Sequence, residues 1–306
     1  MNQKALSVVL GTYNRLGFLK LTIESLRREL NSCDFRSEII IIDGGSSDGT
    51  MSWLTKQKDI ISIIQHNRGE WAGKKIERRS WGYFMNLGFK AAQGKYVCMI
   101  SDDCLLVPGA LKNGYNQFET MQREDKKVGA IAFFWRNWPD ANYYWIGKFF
   151  NIPFVNHGIY LNEAIRKVGF LDEENYKFYY ADGDFSLRIY EAGYRIIAAD
   201  DSFIEHYNYA NLKLRIENSS SAEVDLESFK AKWRNAIFYD EIYFDPKIDR
   251  NRIGIYKMPA DIEKNNSNAL AKWGKIHRRN KITNLMKRIV SKLYYRQVDK
   301  LGRRGG

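Results

Sequence analysis

Residues 95–103 read KYVCMISDD, a short apolar run that ends in two adjacent carboxylates, Asp102 and Asp103. The β-branched, aromatic and soft apolar side chains of this run predict a buried strand. Ligands of open α/β sheets bind at the carboxyl ends of the strands, and two adjoining carboxylates there need a cation or an array of donors. The stretch therefore predicts a site for a hard divalent ion, Mg²⁺ or Mn²⁺, shared with phosphate oxygens. A solvated turn is the alternative for an isolated Asp-Asp pair.

Strands and helices alternate on both sides of this stretch. Apolar runs at residues 6–10, 38–43 and 60–65 predict further buried strands. Apolar residues at helical spacing predict helices over 16–30 and 81–92, and a later helix over 182–192 leads into a strand at 195–199. This alternation predicts an α/β fold with a mainly parallel central sheet flanked by helices. No Gly-x-Gly-x-x-Gly follows the first strand, so the dinucleotide-binding fingerprint is absent.

The charge of the chain is concentrated at its C-terminal end. The 306 residues carry a net charge of +12, but residues 272–304 hold twelve Lys and Arg against one Asp. A nearly neutral body with a cationic tail suggests a tether rather than a nucleic-acid-binding protein. Three cysteines without metal-ligand spacing suit a reducing cytosol, and no apolar run is long enough to predict a signal peptide or a membrane span.

The tail itself has the pattern of an interfacial helix. Apolar residues between Ile282 and Leu293 recur at spacings of three and one, with basic residues on the other face. This pattern predicts a helix that lies on an anionic membrane surface, and packing on its own domain or on a second copy of the chain is the alternative. We expect a catalytic domain over 1–258, with halves of about 1–110 and 111–258, and a helical tail over 259–306. Polar residues 260–268 suggest a hinge between them.

Four segments in this order resemble the family-2 inverting glycosyltransferases, which have the GT-A fold. They are residues 8–15 (VVLGTYNR), 41–50 (IIDGGSSDGT), 86–97 (NLGFKAAQGKYV) and 182–196 (DGDFSLRIYEAGYRI). The likeness spans about residues 6–206. The chain departs from the family at its metal motif, usually Asp-x-Asp, because Ser101 stands where the first Asp is expected and Asp102 is a candidate to replace it.

The resemblance implies roles on the donor side of a site. It implies that Asp103 and His206 bind the metal, Mn²⁺ or Mg²⁺, and that a further group of residues binds the donor nucleotide. The nucleotide-binding candidates are Thr12, Tyr13, Asn14, Asp43, Asn86 and Asp102. Asp43 would accept the imide N–H of uracil or thymine, which favours a UDP or dTDP sugar; capping of the next helix is the alternative. Arg15 is expected to face either phosphate or solvent.

The fourth segment implies the acceptor side. Asp182 is the favoured general base, because inversion needs a carboxylate that takes the proton of the acceptor hydroxyl. Tyr180 and Asp184 are expected to contact the acceptor. The alternative is that Asp182 caps the helix and Asp184 acts as the base. Arg188, one helical turn after Asp184, is expected to pair with it.

The resulting hypothesis is a metal-dependent, inverting glycosyltransferase that acts at the cytosolic face of a membrane. Its acceptor would be lipid-linked or a polysaccharide, and association with a second copy stays open. A nucleotidyltransferase is the first rival, although residues 11–14 lack the glycine-rich phosphate loop of that class. The second rival is a non-catalytic, membrane-associated module that binds a nucleotide or a glycan.

Overall fold

The computed structural model describes residues 4–67, 69–207, 209–210, 218–236, 252–256 and 260–279. The strands are β1 (Leu6–Thr12), β2 (Ser37–Asp43), β3 (Ile60–Ile64), β4 (Glu70–Trp71), β5 (Lys74–Lys75), β6 (Tyr96–Met99), β7 (Cys104–Leu106), β8 (Val128–Trp138), β9 (Tyr144–Phe149), β10 (Ile152–Pro153), β11 (Gly158–Leu161), β12 (Arg195–Tyr207) and β13 (Arg252–Tyr256). The helices are α1 (Leu16–Asn31), α2 (Thr50–Leu54), α3 (Trp81–Ala91), α4 (Ala110–Glu124), α5 (Asn162–Lys167), α6 (Ala181–Glu191), α7 (Ala222–Trp233) and α8 (Ala260–Arg279).

One large sheet organises the chain, and its strands run in the order β10-β9-β8-β11-β6-β1-β2-β3. The strands β3, β2, β1 and β6 are parallel, as expected of strands joined by helical crossovers. The next strand, β11, is antiparallel to β6 and to β8, and β12 pairs with β8 in parallel and with β7 in antiparallel fashion. The predicted α/β fold is confirmed, with a sheet that is mixed beyond its parallel half.

The parallel half aligns the carboxyl ends of its strands. Thr12 pairs with Asp43 at the ends of β1 and β2, and β6 leads directly to Asp102 and Asp103. The strands themselves are buried, with Val8, Val9 and Leu10 of β1 fully covered, because helices cover both faces of such a sheet. The polar residues after the strands therefore converge at one edge.

Helix α3 approaches this sheet closely at Gly88. A Cβ atom at that position would lie 2.4 Å from Cγ1 of Val9 and 2.6 Å from Cδ1 of Ile42, which is too close for any side chain. The next residue, Phe89, is fully buried and stacks on Phe185 of α6, with ring centroids 6.0 Å apart. The helix is thereby fixed between the sheet and the acceptor-side segment.

The expected hinge at residues 260–268 is wrong, because these residues belong to the continuous helix α8. This helix packs on the body: Trp273 is fully buried, with its ring centroid 5.4 Å from that of Tyr207 and 5.8 Å from that of Trp138. The apolar stripe at 282–293 lies outside the described residues. Among the helices that are described, none combines the length and apolar character needed to cross a bilayer.

Candidate active site

Asp102 and Asp103 lie at the turn between β6 and β7, and residues 101–104 are called the acid turn below. Both carboxylates are almost completely buried. Oδ2 of Asp102 accepts a hydrogen bond of 2.8 Å from Thr12, at the end of β1. Burial raises the pKa of Asp102 and the charge of Asp103 adds to this, while Arg15 opposes it. The solvated turn that the sequence left open is therefore not what forms here.

Arg15 neutralises the acid turn from the start of α1. Its Nη1 donates to Oδ1 of Asp102 at 2.7 Å and to Oδ2 of Asp103 at 2.8 Å. Burial alone would lower the pKa of Arg15, but the two carboxylates outweigh it and hold the pKa above its ordinary value. The sequence suggested phosphate or solvent as its partner, and the structure gives it the acidic pair instead. A buried charge needs a partner, which is the physical reason.

His206 of β12 faces the acid turn from the other side. Its Nε2 lies 3.6 Å from Oδ1 of Asp103, and its Nδ1 lies 2.8 Å from Oδ1 of Asn137. An amide oxygen only accepts, so Nδ1 donates to it, and Nε2 is the nitrogen that faces Asp103. Metal-binding histidines are oriented by such a hydrogen bond from their second nitrogen.

A divalent ion fits this pair of ligands. Ligands of one Mg²⁺ ion lie about 2.1 Å from it, so two of them can be up to about 4 Å apart, and Asp103 and His206 are within this limit. No three His, Cys, Asp or Glu side chains in the described segments are grouped to hold a metal. Two protein ligands are sufficient where substrate phosphates and waters complete the coordination.

Asp43 ends β2 and shapes the turn that follows it. Its Oδ1 accepts from the backbone N–H of Gly45 at 2.8 Å and of Ser46 at 2.7 Å. Its Oδ2 is buried and accepts no hydrogen bond from any residue in the described part of the chain. One oxygen therefore holds the turn, and the other has no hydrogen-bond donor among the described residues. The N-cap of α2 is Gly49, and Oδ1 of Asp48 accepts from the N–H of Thr50 at 3.1 Å, so Asp43 does not cap this helix.

The turn after β1 packs against the turn after β2. Asn14 has a positive φ of 51° and its N–H donates to Oγ of Ser46 at 2.8 Å. Its side-chain oxygen accepts from the N–H of Ser47 at 2.7 Å. Tyr13 lies against Gly44, where a Cβ atom would be 3.2 Å from Cδ2 of the ring. The structure thus brings Tyr13 and Asn14 to the turn that Asp43 organises, and their nucleotide-binding roles stay predictions.

The side-chain amide of Asn86 binds the loop that precedes α6. Its Nδ2 donates to the carbonyl of Leu171 at 2.9 Å and to Oε2 of Glu173 at 2.7 Å. Its Oδ1 accepts from the N–H of Leu171 at 2.9 Å. The buried amide thus binds the loop before α6, and its nucleotide-binding role stays a prediction.

Asp182, in the first turn of α6, borders a cavity of about 280 Å³. The lining is largely aromatic and comprises Trp135, Trp145, Phe149, Phe154, Asn156, Tyr179, Tyr180, Asp182, Ala222 and Leu226. Nδ2 of Asn156 donates to Oδ2 of Asp182 at 2.9 Å, and the N–H of Gly183 donates to its Oδ1 at 2.9 Å. Burial raises the pKa of Asp182, while these two hydrogen bonds oppose the rise.

Asp184 lies behind the cavity wall, and its predicted contact with the acceptor stays a prediction. Its carboxylate is fully buried and accepts from Arg188 at 2.8 Å and from Trp233 at 3.0 Å, and Lys232 lies 2.8 Å away. The predicted pairing with Arg188 is confirmed. These contacts tie α6 to α7. They favour Asp182 over Asp184 as the base, and the choice between the two stays a prediction.

Asp225 of α7 is a site-building residue that sequence reasoning missed. Its buried carboxylate accepts from three successive backbone N–H groups, those of Lys177, Phe178 and Tyr179, at 2.8 to 2.9 Å. This loop leads to Tyr180, which has a φ of 64° and lines the cavity. Nothing in the local pattern marks Asp225, since the loop it binds lies more than forty residues earlier in the chain.

Trp135 joins the cavity to the candidate metal ligands. It lines the cavity of Asp182 and packs on Trp145, with ring centroids 4.1 Å apart. Its ring also lies edge-on to His206, at 5.8 Å between centroids. The strand β8 that carries it pairs with β12, which carries His206. Through Trp135, the cavity that contains Asp182 therefore adjoins His206, which faces Asp103 of the acid turn.

Comparison with known families shows to which family the chain belongs. The sequence profile described as glycosyl transferase family 2 matches residues 7–191, more than half of the length. The chain belongs to this family of glycosyltransferases, and it is an enzyme of that class. The resemblance drawn from the sequence is confirmed. Comparison with curated proteins gives no significant match.

Solved structures with the same fold include two glycosyltransferases. The mannosyltransferase PcManGT from Pyrobaculum calidifontis, in complex with GDP-Man and Mn²⁺, is 17% identical with a TM-score of 0.55, over 99% of this chain and 85% of that one. Residues 1–349 of S. aureus TarS, in complex with UDP-GlcNAc, are 16% identical with a TM-score of 0.53, over 79% of this chain and 70% of that one. A longer TarS structure is matched over 46% of its length. At these identities the likeness shows a shared GT-A fold.

Proposed function

We propose that this glycosyltransferase is metal-dependent and inverting, and that it moves a sugar from a nucleoside-diphosphate donor to a glycan or lipid-linked acceptor. The observation that carries the proposal is the position of Trp135, whose ring borders both the cavity of Asp182 and the His206 that faces Asp103. A base and a diphosphate site on either side of one cavity are what a single displacement requires.

On the donor side, Asp43 would read the base of the nucleotide through Oδ2, which favours a uracil or thymine nucleotide. Asp103 and His206 would hold Mn²⁺ or Mg²⁺. Such an ion, when bound, would offset the negative charge that develops on the departing diphosphate. The PcManGT structure, with GDP-Man and Mn²⁺ on the same fold, supports this assignment by analogy.

On the acceptor side, Asp182 would take the proton of the attacking hydroxyl. The hydrogen bond from Asn156 occupies Oδ2 and orients the carboxylate. The aromatic rings of the cavity, among them Tyr180 and Trp145, offer faces for a sugar ring and exclude water from the reaction. Attack from the side opposite the diphosphate inverts the anomeric centre.

The location of the enzyme belongs to the same proposal. The basic tail would hold it at the cytosolic face of an anionic membrane, where lipid-linked acceptors lie, and such attachment combines buried apolar area with charge attraction.

A screen of nucleotide sugars tests the proposed function. Hydrolysis or transfer would be measured with UDP, dTDP and GDP sugars, in the presence of Mn²⁺, Mg²⁺ or a chelator. We expect turnover of one class, dependent on the ion and lost in Asp182→Asn. Turnover that survives the chelator would contradict the metal assignment, and an α-linked product from an α-linked donor would contradict inversion.

A further inference from the structure

Two consecutive residues before β11, Asn156 and His157, contact different parts of the candidate active site. Nδ2 of Asn156 lies 2.9 Å from Oδ2 of Asp182. Nε2 of His157 lies within 3.1 Å of two side chains of the acid turn. These two halves of the site come from distant parts of the chain, and one dipeptide touches both.

His157 contacts the two ends of the acid turn. Its Nε2 is 3.1 Å from Oγ of Ser101 and 3.1 Å from Sγ of Cys104, the residues on either side of the acidic pair. The ring is almost fully buried, so both contacts are made inside the protein.

Asn156 acts on the base in a different way. An amide donor favours the ionised form of Asp182, which is the form that accepts a proton. The other titratable groups that act on Asp182 from the described residues are Tyr160 and Tyr180. Burial first, and Asp182 second, raise the pKa of both tyrosines, that of Tyr180 to about 12, so neither carries charge near neutral pH.

The backbone of this dipeptide is anchored on both sides. The N–H of Phe133 in β8 donates to the carbonyl of His157 at 2.9 Å. The hydroxyl of Tyr160 donates to the carbonyl of Val155 at 2.9 Å, and the N–H of Val155 donates to Oγ of Ser186 in α6 at 3.0 Å. The two side chains therefore project from a segment bound to the sheet and to α6.

We propose that Asn156 and His157 are positioning residues that hold the base and the acid turn in their working relation. His157 contacts Ser101, which stands where the usual motif has its first Asp, and Cys104 at the other end of the acid turn. The inference rests on the proposed function, because its readouts are nucleotide binding and sugar transfer.

The two residues have separable effects that a general loss of packing does not imitate. In Asn156→Ala we expect kcat of transfer to fall about tenfold or more, the usual scale for an outer-shell partner. The acid limb of its pH profile should move to higher pH, because the ionised form of Asp182 loses a donor. Binding of UDP or GDP with Mn²⁺, measured by calorimetry, should be unchanged. Asn156→Asp, which keeps the volume, should move the acid limb further.

Substitutions of His157 should instead weaken nucleotide binding and leave the pH profile unchanged. His157→Phe fills the same space without hydrogen bonds, and we expect it to weaken Mn²⁺-dependent binding of UDP or GDP about tenfold while the acid limb stays in place. His157→Gln keeps a polar group within reach of Ser101 and should restore most of the affinity. If binding is equally weak in both variants, ring shape and not hydrogen bonding matters, and the inference is overturned.

Asn162→Ala is the matched control. Asn162 follows β11 at its other end and donates to the carbonyls of Ala92 and Gly94 at 3.3 and 2.8 Å, away from both halves of the site. We expect it to alter stability but neither readout. Asn156 and His157 variants that change only stability, or that share one kinetic pattern, would overturn the inference. A wild-type protein that binds neither nucleotide with Mn²⁺ would overturn the proposed function first.

Discussion

Nη1 of Arg15 lies 2.7 Å from Oδ1 of Asp102, and the same nitrogen is 2.8 Å from Asp103. The side chain of Arg15 is only 14% exposed. One guanidinium from the start of α1 thus compensates two buried carboxylates that follow β6. Because this ion pair holds the acid turn, the electrostatic balance of the turn is part of the fold as well as of the site.

Arg15→Ala should destabilise the protein strongly. Removing the cation leaves two buried carboxylates uncompensated, and breaking a buried pair in this way costs about 3 kcal/mol or more. Chemical unfolding measures the loss. Mn²⁺ should raise the Tm of this variant more than that of the wild type, because the ion replaces the missing charge. Arg27→Ala, which breaks an exposed pair with Asp59, is the control and should cost less than about 1 kcal/mol.

Asp103→Asn and His206→Gln should each remove Mn²⁺-dependent binding of a nucleoside diphosphate. The carboxylate and the imidazole face each other at 3.6 Å, and each substitution removes a strong ligand. Calorimetry with UDP or GDP, with and without Mn²⁺, gives the result, and circular dichroism checks the fold. Unchanged affinity in both variants would show that the ion is held elsewhere.

Asp43→Asn should separate the two tasks of that residue. The retained Oδ1 still accepts from Gly45 and Ser46, so the turn stays intact. The amide replaces the acceptor at Oδ2 by a donor, which faces the imide N–H of uracil unfavourably. We expect affinity for UDP to fall about tenfold to a hundredfold, equivalent to about 1–3 kcal/mol for an unsatisfied group. If UDP binds as well as before, Asp43 does not read the base.

Asp182→Asn should keep donor binding and lose transfer by about 10²-fold or more. Because burial raises the pKa of Asp182, wild-type activity should be lost as pH falls through a value above the ordinary one for aspartate. The same raised pKa makes the ionised form destabilising at neutral pH, so Asp182→Asn should be at least as stable as wild type there.

Asp184→Asn is the comparison for that variant. It removes the buried carboxylate that pairs with Arg188, so we expect a loss of stability of about 3 kcal/mol. Lys232 keeps its contact with Asp172. Transfer per folded molecule should change less than in Asp182→Asn. Activity retained in Asp182→Asn but lost in a folded Asp184→Asn would reverse the assignment.

A truncation that tests the membrane role of the tail should begin after Arg279, because a truncation from Lys272 would also remove Trp273. Trp273 is fully buried against Tyr207 and Trp138, so Trp273→Ala should cost about 3–5 kcal/mol. A chain that ends at Arg279 keeps this contact. We expect it to stay folded and active on a soluble acceptor but to leave anionic vesicles in a flotation assay. Equal flotation of the truncated and full-length chains, at low and at high salt, would refute the membrane role.

The sequence determined the parallel half of the sheet and the place of the acid turn. The runs that became β1, β2 and β6 are continuous and β-branched, and α1 has strict helical spacing, so local pattern was sufficient. Because parallel strands end at one edge, the nearness of Thr12, Asp43 and Asp102 followed from the order of elements alone. The family resemblance was also visible in the sequence, because each of its motifs is a contiguous stretch of residues.

Only the tertiary structure determined which side chains contact each other at the site. Asp182 and Asp184 are two residues apart and look alike in the sequence, yet one borders a cavity and the other is enclosed by α7. Asn86 belongs to a sequence motif of the family, but its side-chain amide forms hydrogen bonds with the backbone of Leu171. Three other contacts also join segments that are far apart in the chain. They are the ion pair of Arg15 with the acid turn, the hydrogen bonds of Asp225 to residues 177–179, and the packing of Trp273 on Tyr207. Such contacts follow from how elements pack, and the periodicity of a segment carries no record of its distant neighbours.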